Sequence, residues 1–469
     1  MKEFESMVSQ LQQPDLIGEV IRELRAKFGD RVATGEAIRR QHANSLTFLA
    51  AELPDAVVWP ESIGDVVAIV GHASNAGIPL IAFGAGTSLE GHVNAPHGGI
   101  AIDFSRMNRV LQVRPDDLDC TVEAGVTRQR LNAELRATGL FFPVDPGAEE
   151  ATLGGMAATR ASGTTTVRYG SMRDNVVNVT AVMASGEVVR TARRARKSSS
   201  GYDLTRLLVG SEGTLGLITE LTLKLYGVPE TVMAAVAAFE TVSGACRAST
   251  QAIQLGLNVA RIELLDAMQV RAVNIHSKLS LPEAATLFVE FHGSQQSCVK
   301  DLETFRQLAE AEGVKNIRSA SDEDGRRNLW KARHDALWAV KSCWPGREVL
   351  VTDVAVPLSH LAAAVEETTA DIQQTGLIAP IVGHVGDGNF HAIVVFDPAS
   401  AVEKAKVEGF LNRLVERALR FDGTATGEHG IGQGKKRFLR LEHGPAVDVM
   451  LSIKTALDPK GILNPGKLF

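Results

Sequence analysis

The chain has 469 residues, 45% hydrophobic and 22% charged, with 49 Lys and Arg against 55 Asp and Glu, a net charge of −6. That length implies two or three domains with ample core, and the acidic balance argues against a nucleic-acid binder. No apolar run approaches the ~18 residues of a membrane span, so membrane contact would be peripheral, at the inner membrane. Four cysteines without a CxxC pair suit reduced thiols in a cytoplasmic protein better than disulfides.

In chain order, residues 11–30 read as an amphipathic helix. Residues 55–88 give a short strand, Pro60, a helix, a turn at 75–77 and a second strand running into glycines, a βαβ pattern. Residues 99–113 and 117–127 alternate as strands, 128–140 form a helix stopped at Gly139, and 175–191 form a hairpin through Ser185 and Gly186. A strand over 214–230 closes this sheet at Pro229. The basic stretch 191–203 reads as a solvated loop.

Beyond residue 230 the texture changes. Residues 243–257, 260–275, 285–294 and 297–313 read as helix, strand, strand and helix, a sheet covered by helices. A long helix over 323–340, a strand over 347–357 and a helix over 358–376 follow. A hairpin lies over 379–397, a helix over 402–421, and the tail ends in two proline turns.

The hairpin carries the first chemistry. His384 and His391 bracket Gly-Asp-Gly-Asn, residues that tolerate tight turns. On one continuous strand they would face opposite sides. With 386–389 as a four-residue loop, Val385 pairs with Phe390 and His384 with His391. Opposed residues hold their Cβ atoms about 4.5–5.5 Å apart on one face, a spacing at which two imidazoles can share a metal ion. Two polar residues near a turn are the plain alternative. Further on, Glu428 and His429 lie between Gly427 and Gly430, either an active-site floor or a surface turn. Two imidazoles and a carboxylate suit zinc or manganese. Spacing alone leaves open whether residues 384, 391 and 428 meet.

Three segments are rich in glycine and small residues: 79–94, 142–170 and 209–219. The first matches neither the GxGxxG of the dinucleotide fold nor a P-loop, since His92 follows Gly91 where a lysine would stand. Together the three allow a flat, bulky ligand to lie against backbone.

The motifs AFGAGTSLEG, VDPGAEEATLGGMAATRASG, VGSEGTLGLITELTLKL, VGHVGDGNFH, GEHGIGQGK and LDPKGILNPGK occur in this order. With them the chain resembles the FAD-linked oxidases that share the fold of vanillyl-alcohol oxidase and p-cresol methylhydroxylase (PCMH). Within that fold it resembles the D-2-hydroxy acid dehydrogenases, those acting on D-lactate with a cytochrome most of all. The resemblance spans roughly residues 40–469. It implies an α+β protein with an FAD-binding PCMH-type domain over 1–228, including the N-terminal helix. A substrate domain over 229–410 would be built on an antiparallel sheet covered by helices, and a segment over 411–469 would pack back on the first domain.

The resemblance also implies roles. FAD would lie on Gly84, Ala85, Gly86, Thr87 and Ser88, then on Pro146, Thr152, Leu153, Gly155, Ser162 and Gly163. Glu212, Gly213, Ile218 and Asn464 would complete the cradle. Some relatives attach flavin through a histidine in the first loop; Thr87 stands in the GAGTS run here, which implies noncovalent FAD. A divalent metal, zinc or manganese, would be held by His384, His391 and Glu428. His429 would be the general base, and Arg333 would grip the substrate carboxylate with Asn389 and Trp330 beside it. The implied reaction oxidises D-lactate or a related short D-2-hydroxy acid to a 2-oxo acid. Electrons would pass to cytochrome c, a quinone or an electron-transfer flavoprotein. Alternatives are the flavin subunit of a glycolate oxidase complex and a flavin-free metal hydrolase. Around Arg333, the residues Trp330, Leu337, Trp338, Val351 and Ile393 are apolar, so no second carboxylate grip is expected unless Lys331 or Arg347 supplies one.

Overall fold

The computed structural model describes residues 15–43 and 47–469. The first helix spans Leu16–Phe28, with the Asp15 side chain accepting from the Gly18 N–H as its cap. Residues 11–14 of its expected span lie outside the described residues. Ala56–Val58, the helix Ile63–Ala76 and Leu80–Phe83 follow as expected. The two strands are not neighbours, however: Ile100–Asp103 lies between them, parallel to both. A five-stranded antiparallel sheet comes next, in the order 110–114, 119–123, 217–224, 176–182, 188–190. One apolar core unites both sheets and includes Ile462 and Leu463 from the chain's end. Leu80 N–H donates to the Ile462 carbonyl at 2.7 Å and Asn464 N–H to the Leu80 carbonyl at 2.8 Å. The tail therefore adds a rung beside 80–83.

The second half is an eight-stranded sheet in the order 314–320, 231–239, 285–293, 259–265, 381–384, 389–396, 348–351, with Val354–Ala355 also pairing with the strand Asn389–Phe396. Helices 242–254, 295–311, 358–375 and 401–420 bury one face. Helices 267–277, 323–334 and 336–343 cover part of the other, over Phe288, Val382 and Ile393. The chain is thus α+β.

Several expectations are corrected. The strand expected over 260–275 ends at Leu265, where Asp266 caps the helix Ala267–Ser277. The helix expected over 323–340 breaks at Asp335, and the strand expected over 347–357 breaks at Thr352 and Asp353. Thr231–Phe239 is an additional strand whose sequence, TVMAAVAAF, is too rich in alanine to read as one. The expected boundary at 410 falls inside the helix Ala401–Arg420, whose Phe410 and Leu414 sit in one core with the strands before it. Two further helices, Lys436–His443 and Ala446–Leu457, occupy the tail. Among the described residues, no helix is long and apolar enough to cross a membrane.

Candidate active site

Ile381–His384 and Asn389–Phe396 form the expected hairpin in a different register. His384 lies opposite Asn389, and His391 opposite Val382. The turn is therefore 385–388, where Gly388 takes φ of +84° and a Cβ would collide with the Val356 carbonyl. The register differs from the expected one by two residues, which leaves every side chain on its face. His384 and His391 are diagonal neighbours with ring centroids 5.5 Å apart.

Both Nε2 atoms face one oxygen. Glu428 Oε1 lies 3.2 Å from His384 Nε2 and 3.3 Å from His391 Nε2. Each Nδ1 is held from behind, His384 by Glu263 Oε1 at 2.7 Å and His391 by the Thr352 carbonyl at 2.8 Å. Histidines anchored through one ring nitrogen, with the other free to bind, are the usual pattern of metal ligands. The three donors lie within 4.8 Å of one another, so the donor set fits a divalent ion. Burial opposes charge on His384 and on Glu428. The Glu263 and Glu428 carboxylates nevertheless hold His384 well above the usual histidine range, and the two histidines hold Glu428 well below that of a carboxylate.

Asp353 builds the loop that presents Glu428 and His429. Its Oδ2 accepts from Thr426 Oγ1 at 2.6 Å and from the Glu428 and His429 N–H groups at 3.0 Å each. Its Oδ1 accepts from Asn389 Nδ2 at 2.7 Å. Lys435 Nζ, 3.4 Å away, also donates to the Asp353 and Ala425 carbonyls. Burial would raise the Asp353 carboxyl, but Lys435 and the histidines hold it well below the carboxylate range. Asp353, His391 and His429 also cluster closely enough for a cation. The lysine and the committed carboxylate make that cluster structural.

His429 stacks on His391, with centroids 5.1 Å apart and planes 10° from parallel. Burial pulls it down to about 4, which leaves the imidazole neutral near pH 7. Its Nδ1 is buried without a hydrogen bond, and Glu90 Oε1 lies 4.0 Å away.

Arg333 points into the same site, its Nε donating to Glu263 Oε2 at 2.6 Å. Trp330 is buried with the Arg261 guanidinium 5.3 Å from its ring centre. Asn389 donates to Asp353 and to the Val354 carbonyl, and its Oδ1 has no hydrogen bond. Ile393 is buried beside Trp330 in the same cluster, but Trp338 is 54% exposed and stands outside it. Neither expected alternative cation serves the site: Lys331 is exposed, and Arg347 pairs with Glu403 at 2.7 Å. Arg261, which sequence reasoning missed, lies nearby, between Asp145 and Glu290 at 3.3 and 3.7 Å.

The segments expected to hold FAD converge on this centre. Ser162 Oγ donates to Glu428 Oε2 at 2.7 Å, which joins the TLGG–ASG segment directly to the histidine cluster. A Cβ at Gly84 would overlap the Thr152 hydroxyl, and that hydroxyl caps Leu153–Ala158 by accepting from Gly155 N–H. Gly86, Glu212, Gly213 and Asn464 all have positive φ, and the Asn464 amide donates to the Glu212 carbonyl at 2.7 Å. The Ser88 and Ser211 hydroxyls are buried without hydrogen bonds. A cradle that excludes a Cβ and orphaned hydroxyls beside glycine backbone fit a large polar cofactor. Glu212 departs from expectation. Its carboxylate accepts from the Ile431 and Gly432 N–H groups at 2.7 and 2.8 Å, and His92 Nε2 lies 3.1 Å from it. Its side chain clamps the 430–432 loop, so any cofactor contact falls to its backbone.

Gly84→Ala should therefore give protein that is folded but poor in flavin. The new methyl forces Thr152 off its cap, at a cost of about 1 kcal/mol, and displaces the 84–88 loop from the expected cradle. Bound flavin per chain in the purified variant measures the effect, and full occupancy would refute it.

Residues 54–192 match the family described as FAD binding domain, and 228–468 match FAD linked oxidases, C-terminal domain. The chain is 47% identical to a probable mitochondrial D-lactate dehydrogenase of Danio rerio, covering 96% of this chain and 91% of that protein. It is 42% identical to the mitochondrial D-lactate dehydrogenase [cytochrome] of Arabidopsis thaliana, over 96% and 80%. It is 32% identical to a glycolate oxidase subunit of Bacillus subtilis, over 89% of each. Among solved structures, substrate-bound p-cresol methylhydroxylase shares the fold with a TM-score of 0.81 at 14% identity, over 97% of each chain. With a flavin-binding unit and the oxidase C-terminal unit in one chain, and relatives aligned along nearly all of it, the flavin-free hydrolase reading falls away. The chain belongs to the FAD-linked oxidases.

Proposed function

We propose that this protein oxidises D-lactate and related short D-2-hydroxy acids to 2-oxo acids, passing electrons to a cytochrome-type or other external acceptor. The observation that carries the reading is the convergence of a His–His–Glu cluster able to hold a cation, a neutral buried histidine and an arginine beside the segments expected to hold FAD. FAD, held noncovalently, would supply the hydride acceptor. His384, His391 and Glu428 would hold a zinc or manganese ion, which would supply Lewis acidity toward the 2-hydroxyl. Arg333 presents its Nη edge to the substrate carboxylate, because its Nε is already bound to Glu263; a guanidinium grips a carboxylate in two points where lysine cannot. His429 takes the hydroxyl proton, and the Asp353 and Glu428 carboxylates favour the imidazolium that results. With the hydroxyl and carboxylate fixed, one hand alone would turn its C2–H toward the flavin position.

Assay of D- and L-2-hydroxy acids with an artificial acceptor tests the proposal; preference for L acids, or no turnover of any, overturns it. The Bacillus relative supports a second reading, a subunit of a glycolate-oxidising complex. Preference for glycolate, together with co-purification of an iron–sulfur partner, would favour that. Four free cysteines, with the buried Cys120 and Cys246 thiols pushed up to about 12 by burial, suit a reducing compartment such as the expected cytoplasm.

Substrate size follows from the pocket wall. Trp330 and Ile393 are buried and apolar, and Arg261 already faces carboxylates on two sides. A distal carboxylate without a partner costs several kcal/mol, whereas an apolar tail gains ~0.8 kcal/mol per buried methylene. D-lactate and D-2-hydroxybutyrate should therefore be good substrates and D-2-hydroxyglutarate a poor one. A kcat/KM for D-2-hydroxyglutarate at or above that for D-lactate would show that Arg261 swings free of its carboxylates.

A further inference from the structure

We infer that Glu263 is the positioning residue that couples the metal ligand His384 to the carboxylate grip Arg333, so that metal and substrate are held through one side chain. The inference rests on the metal and substrate roles proposed above.

Glu263 lies on the strand Val259–Leu265, beside Ile381–His384. Its side chain is 0% exposed. Each carboxylate oxygen serves one partner: Oε1 accepts from His384 Nδ1 at 2.7 Å, and Oε2 accepts from Arg333 Nε at 2.6 Å. The first bond fixes the tautomer of His384, because a proton on Nδ1 leaves Nε2 with a lone pair toward the metal position. The second fixes the guanidinium plane and leaves its Nη edge for the substrate. Without these two partners the buried carboxylate would be costly, and both partners lie at the proposed reaction centre. The strand VARIELL places charges at Arg261 and Glu263 amid apolar residues, which is a poor solution for a strand buried on both sides and a good one for a side chain that holds others.

A carboxylate accepts at both oxygens, whereas an amide accepts at one end and donates at the other. In Glu263→Gln, one partner must therefore meet an N–H. If the amide nitrogen faces His384, the ring must accept at Nδ1 and carry its proton on Nε2, which removes the metal ligand. If it faces Arg333, two donors oppose each other and the guanidinium turns away.

The test uses the purified flavin-loaded protein. Mn²⁺ affinity is measured by titration after metal removal, and pyruvate affinity is read from its perturbation of the oxidised flavin spectrum. E263Q should lose about 10–100-fold in Mn²⁺ affinity, pyruvate affinity or both, with flavin content and melting temperature near wild type. Wild-type affinity for both probes overturns the inference. His384→Ala separates this from failure of the metal reading. If H384A loses Mn²⁺ and E263Q loses nothing, only the coupling is wrong; if H384A binds Mn²⁺ as well as wild type does, the metal assignment itself is wrong. Should E263Q fail to fold, Arg333→Met tests the same link from the other side. With Arg333 gone, the whole charge of Glu263 falls on His384 and makes its Nε2 a stronger ligand, so Mn²⁺ should bind several-fold tighter. Unchanged or weaker Mn²⁺ binding in R333M overturns the coupling.

Discussion

Replacing His384 or His391 by alanine should reduce turnover by about 10³-fold or more while the bound flavin keeps its spectrum. The size follows from the several kcal/mol that a Lewis acid contributes to stabilising developing negative charge, at about 1.4 kcal/mol per factor of ten. The selectivity follows from geometry. Each histidine has one nitrogen on Glu428 and the other on an anchor within the second sheet. Neither lies among the glycine-backbone segments expected to hold the cofactor. The triad is joined to those segments by the hydrogen bond from Ser162 to Glu428. The two variants are not equivalent. His391→Ala frees a backbone carbonyl, which a water can satisfy. His384→Ala removes a partner from the buried Glu263 and should cost more stability. Metal content, flavin absorbance and turnover on one preparation check the result. Full turnover in a variant shown to carry no metal would remove the ion from the mechanism.

How far this site was legible depends on what kind of signal each part left. The histidine pair announced itself through the turn residues between them, and the error in register was harmless because a shift of two residues preserves faces. It arose because Asn389 looks like a turn residue. The structure uses it as a strand residue, its amide bonded to Asp353 and Val354. Glu428 and His429 were visible against their glycines. The residues that hold these side chains were not. Asp353 lies at the break between two short apolar strands and Glu263 within an apolar strand, 75 and 165 positions from Glu428. Only the sheet order brings them near. A usable trace existed, since a charge in a strand otherwise apolar on both faces has to be paired. Lys435, which sequence reasoning did not single out, is buried against Asp353. The strand Thr231–Phe239 escaped for the opposite reason. Buried along most of its length, it shows none of the alternation that marks a half-exposed strand.

Changing His429 to asparagine should slow flavin reduction in a single turnover by about 10²–10⁴-fold, the usual contribution of a positioned base. The backbone N–H of residue 429 still reaches Asp353, so the loop that presents Glu428 survives the change and metal binding should persist. Asparagine cannot reproduce the stack on His391, so a small loss of stability is expected alongside. It cannot take a proton either, and the nearest other acceptors are occupied. Glu428 lies against His384 and His391, and Asp353 accepts from a hydroxyl and two backbone N–H groups. Among the described residues, Glu90 is a nearby carboxyl that could substitute: burial pushes it up to about 7, and it lies 4.0 Å from His429 Nδ1. The two outcomes separate cleanly. If His429 is the base, H429N is slow and His429→Asn combined with Glu90→Gln is no slower. If Glu90 takes the proton, H429N alone reduces flavin near the wild-type rate, and only the double variant fails. Substrate affinity is the control, because Arg333 and the triad are untouched in both. A rise in KM without a fall in the flavin-reduction rate would move His429 from proton transfer to binding.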